Sequence, residues 1–344
     1  MFTGDVNIAA GTVATFAGGT GFTGTNATLG NGAQLNWNQN GTLAGKAFTF
    51  GSNAYIYVGP NNSLTLDNAT TATGDVELYS GVAGASITNQ GTINHTSGTG
   101  YLFANTFTNQ GTINVGPSGY LYLGSTAAGY SFANPAGARI NVTGGTANLQ
   151  SALANAGIIN VPSGILVAGA NLTNGPTGTI TGAGTINGNL TLAGGTVSPG
   201  NGIGTLTIAS GNLVVGGSAT LNMELGGTAA DQILIQNPTG AIDLGAGLLT
   251  LNLSLLGVPT GSTYNLISIT GGSGFTGYLA GLPLSGNTIT ASYFGIPHTF
   301  SVQHLATGAS LGFTAVPEPD TVALLAAGLL VVAGAGWRRR RRAA

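Results

Sequence analysis

Short runs of alternating apolar and polar residues follow one another along most of the chain, up to about residue 313. The run from Leu249 to Leu253, for example, alternates leucine with threonine and asparagine, which is the period of a half-buried β-strand. Glycine, Asn-Gly or proline separates the runs, and these residues mark turns. The pattern predicts an all-β protein built from many short strands.

Between about residues 87 and 190 the alternating runs form a repeat. Ile87–Asn94 reads Ile-Thr-Asn-Gln-Gly-Thr-Ile-Asn, and Phe107–Asn114 repeats it with only the first residue changed. Looser copies begin at Phe132, Leu153 and Leu172, so the copies start 20, 25, 21 and 19 residues apart. A period of this length is typical of a solenoid, in which each repeat forms one coil.

A single repeat is too short to bury its own apolar side chains, so it needs a neighbouring coil to cover them. We therefore predict a parallel β-helix, in which the isoleucines that precede or follow the repeated asparagines form one inward stack. The predicted stack contains Ile93, Ile113, Ile140, Ile159 and Ile180. The asparagines are expected to form a hydrogen-bonding ladder, and glycine permits corners with positive φ. A β-sandwich with coincidentally similar strands is the alternative fold.

The repeat changes its character between Gly188 and Ile235. This stretch includes Val197–Ile208, which contains Ser-Pro-Gly-Asn-Gly, and Leu221–Leu225, which alternates apolar and polar residues. It resembles the last coils of autotransporter-type passenger β-helices. The resemblance implies a β-helical body with its terminal coils in this region.

The chain as a whole is expected to have three parts. Solenoid repeats occupy residues 1–210, and terminal β-coils with a β-cap over the open end of the solenoid occupy residues 211–314. A distinct C-terminal tail occupies residues 315–344. The start of the chain, Met1–Asp5, has neither a basic segment nor an apolar run, so we expect further repeats and a signal peptide upstream of it.

The composition narrows the class of protein. Glycine supplies 61 of the 344 residues, and only 5% are charged, against roughly 25% in a typical soluble protein. Because 42% of the residues are hydrophobic, intrinsic disorder is not expected. The surface must instead be wetted by hydroxyl and amide groups, which suits stacked β-structure. The absence of cysteine excludes disulfides and thiolate metal sites.

The positive charge is concentrated at one end of the chain. Five of the seven basic residues are Arg338–Arg342, and only Lys46 and Arg139 precede them, against nine acidic residues. Two cations cannot neutralise a run of phosphates, so the body is not expected to bind nucleic acid. The same shortage argues against a lyase that acts on acidic polysaccharide.

The C-terminal tail has the pattern of a membrane anchor. Pro317 and Pro319 interrupt regular structure, and the apolar run Val322–Gly336 follows them. With Thr321 and Trp337 the run has 17 residues, about 25 Å as a helix, which is the lower limit for a bilayer core of roughly 30 Å. Each arginine costs roughly 2.5–3.5 kcal/mol at the bilayer centre. We therefore predict a single short transmembrane helix with a cytoplasmic C-terminus; a buried helix of a soluble protein is the alternative.

The tail resembles the PEP-CTERM sorting signal, which is also known as the ice-binding protein C-terminal domain. The resemblance is carried by Pro317-Glu318-Pro319, the short apolar span and the terminal arginines. It implies recognition by exosortase, a membrane protease or transpeptidase of Gram-negative bacteria that make exopolysaccharide. Pro317, Glu318 and Pro319 would be the recognition element, and Arg338, Arg339, Arg340, Arg341 and Arg342 the stop signal. Asp320 departs from the Ser or Thr that is common after the motif.

Catalytic and metal-binding motifs are weak. Gly19–Gly24 and Gly272–Gly277 match G-x-G-x-x-G, but neither opens an amphipathic helix that could hold a dinucleotide. His298 and His304 are spaced to share one face of a strand, but no carboxylate cluster accompanies them. Asp75 and Glu77 are the best candidates for a pair of hydrolytic carboxylates, and a solvated strand face explains them equally well. We predict no enzyme activity, no cofactor and no metal.

These observations leave three hypotheses for the function. The first is a structural or adhesive protein of the cell surface, exported, processed by exosortase and associated with exopolysaccharide in a biofilm. The second is ice binding by a flat threonine surface, although the Thr-x-Thr triplets at residues 23–25, 71–73 and 205–207 do not fall at one coil period. The third is a polysaccharide-active enzyme that uses Asp75 and Glu77.

Overall fold

The structure, a computed structural model, describes residues 2–237, 239–270, 274–283, 286–304 and 310–316. The described chain is all-β and winds into a parallel β-solenoid of about ten turns, which confirms the predicted fold class. Within those ranges no helix is long and apolar enough to cross a bilayer. The predicted transmembrane helix lies outside the described residues.

The strands of the N-terminal coils are short and regular. They are β1 (Val6–Ile8), β2 (Val13–Ala17), β3 (Asn26–Leu29), β4 (Gln34–Asn38), β5 (Gly41–Leu43), β6 (Ala47–Phe50), β7 (Tyr55–Val58), β8 (Ser63–Leu66), β9 (Thr71–Gly74), β10 (Glu77–Tyr79) and β11 (Ser86–Asn89).

The central coils contain four longer strands that run round a corner of the solenoid. The strands here are β12 (Thr92–Phe103), β13 (Thr106–Asn109), β14 (Thr112–Leu123), β15 (Ser131–Ala133), β16 (Arg139–Val142), β17 (Thr146–Leu149), β18 (Leu153–Asn155), β19 (Ile158–Asn160), β20 (Ile165–Asn174), β21 (Thr179–Thr181), β22 (Thr185–Leu192), β23 (Thr196–Ser198) and β24 (Thr205–Ile208).

The last coils of the solenoid are followed by antiparallel strands. Together these two parts comprise β25 (Leu213–Val215), β26 (Ala219–Gly226), β27 (Ala229–Ala230), β28 (Gln232–Ile235), β29 (Ala241–Leu255), β30 (Thr263–Ile269), β31 (Gly274–Leu279), β32 (Thr288–Tyr293), β33 (Ile296–His304) and β34 (Ser310–Val316).

Each coil has three sides, which we name A, B and C in the order in which the chain passes through them. Side A runs from β1 through β9, the first half of β12 and β16 to the end of β29. Side B runs from β2 through β7, β10 and the second half of β12 to β30. Side C runs from β5 through β11 and β18 to β31. Equivalent strands of successive coils pair in parallel and in register.

The register brings like residues together in the core, as predicted. Ile93, Ile113, Ile140, Ile159 and Ile180 are consecutive partners on side A, and all five are fully buried. Burying each such side chain stabilises the fold by roughly 1.5–3 kcal/mol. The isoleucine repeat in the sequence therefore corresponds to buried positions in the interior of the solenoid.

The asparagines that end the strands of side C form a second internal stack. Its members are Asn89, Asn109, Asn134, Asn155 and Asn174, all buried. In the first four, Nδ2 donates to the Oδ1 of the asparagine in the next coil, at 2.8 to 2.9 Å. Leucines continue the column at both ends, where Leu66 pairs with Asn89 and Leu192 with Asn174. The predicted asparagine ladder is therefore present, as a buried row of amides at the corner between sides C and A.

A second row of asparagines stands on the outside of side A. Asn114 Nδ2 donates to Asn94 Oδ1, and Asn141 Nδ2 donates to Asn114 Oδ1, both at 2.7 Å. These side chains are half-buried, so water can replace the bonds that they lose. The outer row therefore contributes less to stability than the buried one.

The glycines that follow the buried asparagines are needed for space and not for their φ angle. A methyl group on Gly111 would collide with the carbonyl oxygen of Gly91 in the preceding coil. Other corners do use positive φ, as at Gly74 and Gly182. The expectation that glycine provides positive φ holds at such corners, whereas close coil-to-coil approach explains the repeated Gln-Gly.

Antiparallel strands follow the last coils. β34 pairs antiparallel with β30 and with β33, and β33 forms a hairpin with β32. Phe300 of β33 is fully buried and packs edge-on against Tyr264 of the last side B strand, with ring centroids 6.2 Å apart. The antiparallel sheet thus extends the hydrophobic core beyond the final coil, as expected of a cap.

The buried asparagine ladder generates a stability prediction. Replacing Asn109 by leucine removes the acceptor of Asn89 Nδ2 and the donor to Asn134 Oδ1, so two buried polar groups lose a partner. We expect the free energy of unfolding to fall by about 2–4 kcal/mol, measured by urea denaturation of the full chain. The exposed neighbour variant Gln110→Ala should change it by less than about 0.5 kcal/mol. Equal effects of the two variants would contradict a stabilising role of the ladder.

Candidate functional site

Side B exposes a strip of aromatic side chains on four consecutive coils. In each coil an inward aliphatic residue lies between two outward residues, most of them aromatic, because successive side chains of a strand point to opposite faces. Neighbouring strands are roughly 4.8 Å apart, so the outward rings of adjacent coils come into contact. The outward positions are Tyr55 and Tyr57 on β7, Glu77 and Tyr79 on β10, Tyr101 and Phe103 on β12, and Tyr120 and Tyr122 on β14. We call these residues the aromatic strip.

The rings of the strip are packed against one another. Tyr101 and Tyr122 are stacked, with centroids 5.0 Å apart and planes inclined by 7°, and Tyr79 and Phe103 are stacked at 5.3 Å. Tyr55 approaches Tyr79 at 5.2 Å. Tyr101 remains 37% exposed, and the other rings are half-buried. The strip is therefore a continuous, partly exposed aromatic surface that follows the axis of the solenoid.

Amide side chains hold both ends of the strip. At the N-terminal end the Tyr55 hydroxyl donates to Gln34 Oε1 at 2.5 Å. At the C-terminal end Asn148 Nδ2 donates to the Tyr120 hydroxyl at 2.7 Å, and Gln150 in turn donates to Asn148 at 2.8 Å. The terminal rings thus have defined orientations, and polar groups border the aromatic surface.

A cleft of about 330 Å³ opens beside the exposed end of the strip. Its walls combine aromatic rings with small and polar residues of the loop that follows β14 and with Gln150, which follows β17. The lining residues are Tyr101, Phe103, Tyr122, Gly124, Ser125, Thr126 and Gln150. The Tyr130 ring lies nearby, edge-on to Phe103 at 6.0 Å. The cleft therefore offers both aromatic faces and hydroxyl or amide groups to a ligand.

Glu77 is the one carboxylic acid among the outward residues of the strip, and it pairs in register with Tyr55. It is 8% exposed, and burial together with the nearby Asp75 carboxylate raises its pKa to about 7. Burial, with Tyr55 and Glu77 as neighbours, also raises the pKa of Tyr79 to about 12. Near neutral pH the strip consequently carries at most a partial negative charge.

Asp75 lies apart from the strip, in the bend before β10, so only Glu77 of the predicted carboxylate pair is on a strand. The Asn53 amide N–H donates to Asp75 Oδ2 at 3.4 Å, and a methyl group on Gly98 would lie 2.5 Å from the same oxygen. Asp75 is only 7% exposed. The two acids flank the buried Val76 and affect one another electrostatically, but the backbone of adjacent coils encloses Asp75.

His95 occupies the same corner, one coil further on, and is fully buried. The Val76 N–H donates to His95 Nδ1 at 3.1 Å, which places the ring proton on Nε2, 3.2 Å from the Gly98 carbonyl oxygen. Burial lowers the pKa of His95, so the ring is neutral at pH 7. Both nitrogens bind backbone groups, which is a structural arrangement.

The other histidines are on the antiparallel strands. His298 and His304 both lie on β33, the single strand that the predicted shared face requires. Across the described ranges, no three His, Asp or Glu side chains are grouped so that they could hold a metal ion.

The two cations that precede the tail lie away from the aromatic strip. Lys46 Nζ donates to the carbonyl oxygens of Phe22 and Gly24, at 3.0 and 2.6 Å. Arg139 begins β16 on side A. The predicted sorting residues Pro317, Glu318 and Pro319 and the arginines 338–342 lie outside the described residues.

The fold and its surface define the class of protein, which is a passenger-like parallel β-solenoid with an aromatic strip on one side. The tail then places the chain more closely, because residues 315–341 match the family model described as the PEP-CTERM protein-sorting motif. A comparison with curated proteins gives no match to this chain. The chain therefore carries a PEP-CTERM sorting signal, as its sequence predicted, on a β-solenoid body.

The sorting signal determines the route of the protein. It implies exosortase-dependent export of a surface protein, through a transient state in which the C-terminus is anchored in the membrane. The motif likewise implies processing by exosortase in general.

The aromatic strip was not predicted from the sequence. The signal was present as an aromatic or acidic residue, an aliphatic residue and an aromatic residue, at 55–57, 77–79, 101–103 and 120–122. These triplets are 22, 24 and 19 residues apart, close to the coil length, but they lie outside the Asn-Gln-Gly repeats from which the coils were predicted.

The raised pKa of Glu77 predicts a pH-dependent stability. Between pH 4.5 and about 7 Glu77 keeps in the folded chain the proton that it releases in the unfolded chain, so Glu77 contributes a fall in the free energy of unfolding as the pH rises through this range. Glu77→Gln should remove this fall and stabilise the full chain at pH 8 by about 3 kcal/mol relative to wild type, with little difference at pH 4.5. Urea denaturation at the two pH values measures both numbers.

Asp67→Asn provides the matched control. Hydrogen bonds from Gly45 and Thr70 lower the pKa of Asp67, so the contribution of Asp67 to the pH dependence of stability has the opposite sign. That variant should leave the fall in stability between pH 4.5 and 7 intact. If Glu77→Gln changes the stability equally at pH 4.5 and at pH 8, the assignment to Glu77 is refuted.

Proposed function

We propose that this protein is a structural or adhesive component of the cell surface or extracellular matrix, associated with exopolysaccharide in a biofilm. The aromatic strip carries the proposal, because an exported protein that keeps a partly exposed row of rings has a surface suited to binding another molecule. The regular core and the asparagine ladder support the role, since a rigid rod can present this surface at a distance from the membrane.

We further propose that the body acts by binding and not by catalysis. Asp75 and Glu77, the candidate hydrolytic pair, are 7% and 8% exposed, and neither lines the cleft beside the strip. A glycosidase requires both of its carboxyl groups beside the scissile bond. This arrangement supports a non-enzymatic role.

In the proposed sorting route, exosortase recognises Pro317–Pro319, and Val322–Trp337 is the transient membrane anchor. The block Arg338–Arg342 stops translocation, because each guanidinium costs roughly 2.5–3.5 kcal/mol at the bilayer centre. The body then lies outside the inner membrane and the last residues in the cytoplasm until the tail is removed.

Changing the motif tests both the route and the matrix role in the producing bacterium. Replacing Pro317, Glu318 and Pro319 by alanine should leave the precursor, with its tail intact, in the membrane fraction. The matrix should then lack the protein, and biofilm mass should fall to that of a deletion strain. Immunoblots of cell fractions and biomass staining measure these results.

Asp320→Ser is the matched control, because it introduces a residue that the family commonly carries after the motif, and it should be processed normally. Normal processing of the triple variant would refute the recognition role, and a normal biofilm in the deletion strain would refute the matrix role.

Side A supports a second candidate function, ice binding. Outward threonines form columns there, because Thr71, Thr92 and Thr112 are consecutive partners, and a second set lies further along: Thr179, Thr196, Thr220 and Thr250. The Thr-x-Thr triplets in the sequence do not show these columns, because the second outward position of a coil is often asparagine and not threonine. Parallel columns of this kind hold hydroxyl groups in a flat array at the strand spacing.

Two features limit this array. Arg139 and Ile158 interrupt the threonine column between its two sets. The loop Pro199–Gly204 stands beside the array, fixed by bonds of 2.7 Å from the Gly202 and Gly204 N–H groups to Glu224 and Asp231. The set with four threonines is the longer one, but this loop lies beside it, so the set of Thr71, Thr92 and Thr112 is the better one for a test.

Thermal hysteresis of the full chain tests the second candidate. If side A binds ice, Thr112→Tyr should abolish the hysteresis by breaking the flat surface, and Tyr101→Ala on side B should leave it unchanged. A wild-type protein without measurable hysteresis would remove ice binding from consideration.

A further inference from the structure

We propose that the aromatic strip of side B, with the cleft beside it, binds a chain of a neutral polysaccharide by packing its sugar rings against the exposed parts of the tyrosines and Phe103. This inference deepens the proposed function and rests on it, because it names the surface and the chemical class of the partner.

The chemistry of the strip matches that of a sugar ring. A pyranose has C–H groups on its faces and hydroxyl groups around its edge. The exposed part of each aromatic ring offers apolar contact to such C–H groups, while tyrosine hydroxyls bind hydroxyls at the edge of the sugar. The strip supplies both kinds of group, and its cleft adds Ser125, Thr126 and Gln150.

The geometry of the strip favours a linear polymer. The ring contacts continue from coil to coil, from Tyr57 to Tyr79 and Phe103 and from Tyr101 to Tyr122, along the solenoid axis. A ligand that occupies the strip would therefore lie across the strands and meet a new ring at each coil. A polymer with a sugar ring in every repeating unit can contact the exposed aromatic side chains of each coil in turn.

The charge of the surface selects a neutral ligand. Among the described residues the only lysine is Lys46, bound to backbone oxygens, and the only arginine is Arg139, on side A. An acidic polysaccharide, a nucleic acid or an anionic membrane would meet no counter-charge on the strip. Glu77, once ionised, would repel such ligands.

The strip is also preorganised. Its rings pack on one another, and hydrogen bonds with the side-chain amides of Gln34 and Asn148 hold the rings at its two ends. Little side-chain freedom remains to be lost on binding, so more of the contact energy appears as affinity.

The experiment uses the full chain in mild detergent and affinity electrophoresis at pH 8. The probes are hydroxyethylcellulose and dextran as neutral glycans, alginate as an acidic glycan, and the exopolysaccharide of the producing strain. We expect retardation by at least one neutral glycan and none by alginate. The double variant Tyr101→Ala, Tyr122→Ala should bind about tenfold more weakly, because two ring contacts are lost.

Two controls accompany the double variant. Tyr101→Phe keeps the ring and should retain most of the binding. Phe294→Ala removes an aromatic side chain that is 89% exposed on the β32–β33 hairpin, and it should bind like wild type. Matching circular dichroism spectra would show that the variants are folded.

The outcomes separate the two proposals. If the host exopolysaccharide retards wild type and double variant equally, the strip is not the contact, although the matrix role stands. Retardation by alginate equal to that by neutral glycans overturns the neutral specificity. If no glycan binds and sedimentation shows a dimer that the double variant loses, the strip joins two copies of this chain and the inference is wrong. If no glycan binds and the deletion strain forms a normal biofilm, both proposals fail.

Discussion

The register between coils is the constraint on which the rest of the structure depends. The strands of the coils pair in parallel with their equivalents in the next coil, so outside a few register shifts a side chain lies directly above a side chain of the same position. A slip by one residue would move the isoleucines of side A to the surface and their polar neighbours into the core. Ile113 between Ile93 and Ile140 shows how strongly burial enforces this register.

The same stacking produces different chemistry at each position of the coil. Inward positions give apolar columns, and the corner between sides C and A gives the buried amide ladder. Outward positions give threonine and asparagine columns on side A and the aromatic strip on side B. Because each feature extends along the axis, the surfaces of this protein suit ligands that are themselves repetitive, such as a polysaccharide chain or a crystal lattice.

The chain divides its two tasks between separate segments. The PEP-CTERM motif at residues 315–341 implies exosortase-dependent export. The body presents side chains on a rigid scaffold that needs neither disulfides nor a high surface charge. Its low charge bears on ligand choice, because a surface almost without cations cannot depend on electrostatic attraction and must bind through stacking and hydrogen bonds.

The sequence alone determined what repeats or stands together along the chain: the solenoid, the isoleucine stack, the asparagine ladder and the sorting signal. Only the tertiary structure decided what meets across coils. Coil lengths vary, so sequence spacing does not show that Tyr79 stacks on Phe103 while Tyr101 stacks on Tyr122, or that threonines far apart share one column. The pKa of Glu77 depends on residues that enclose it from neighbouring coils. Burial and electrostatics act through space, and the paths between coils set those distances.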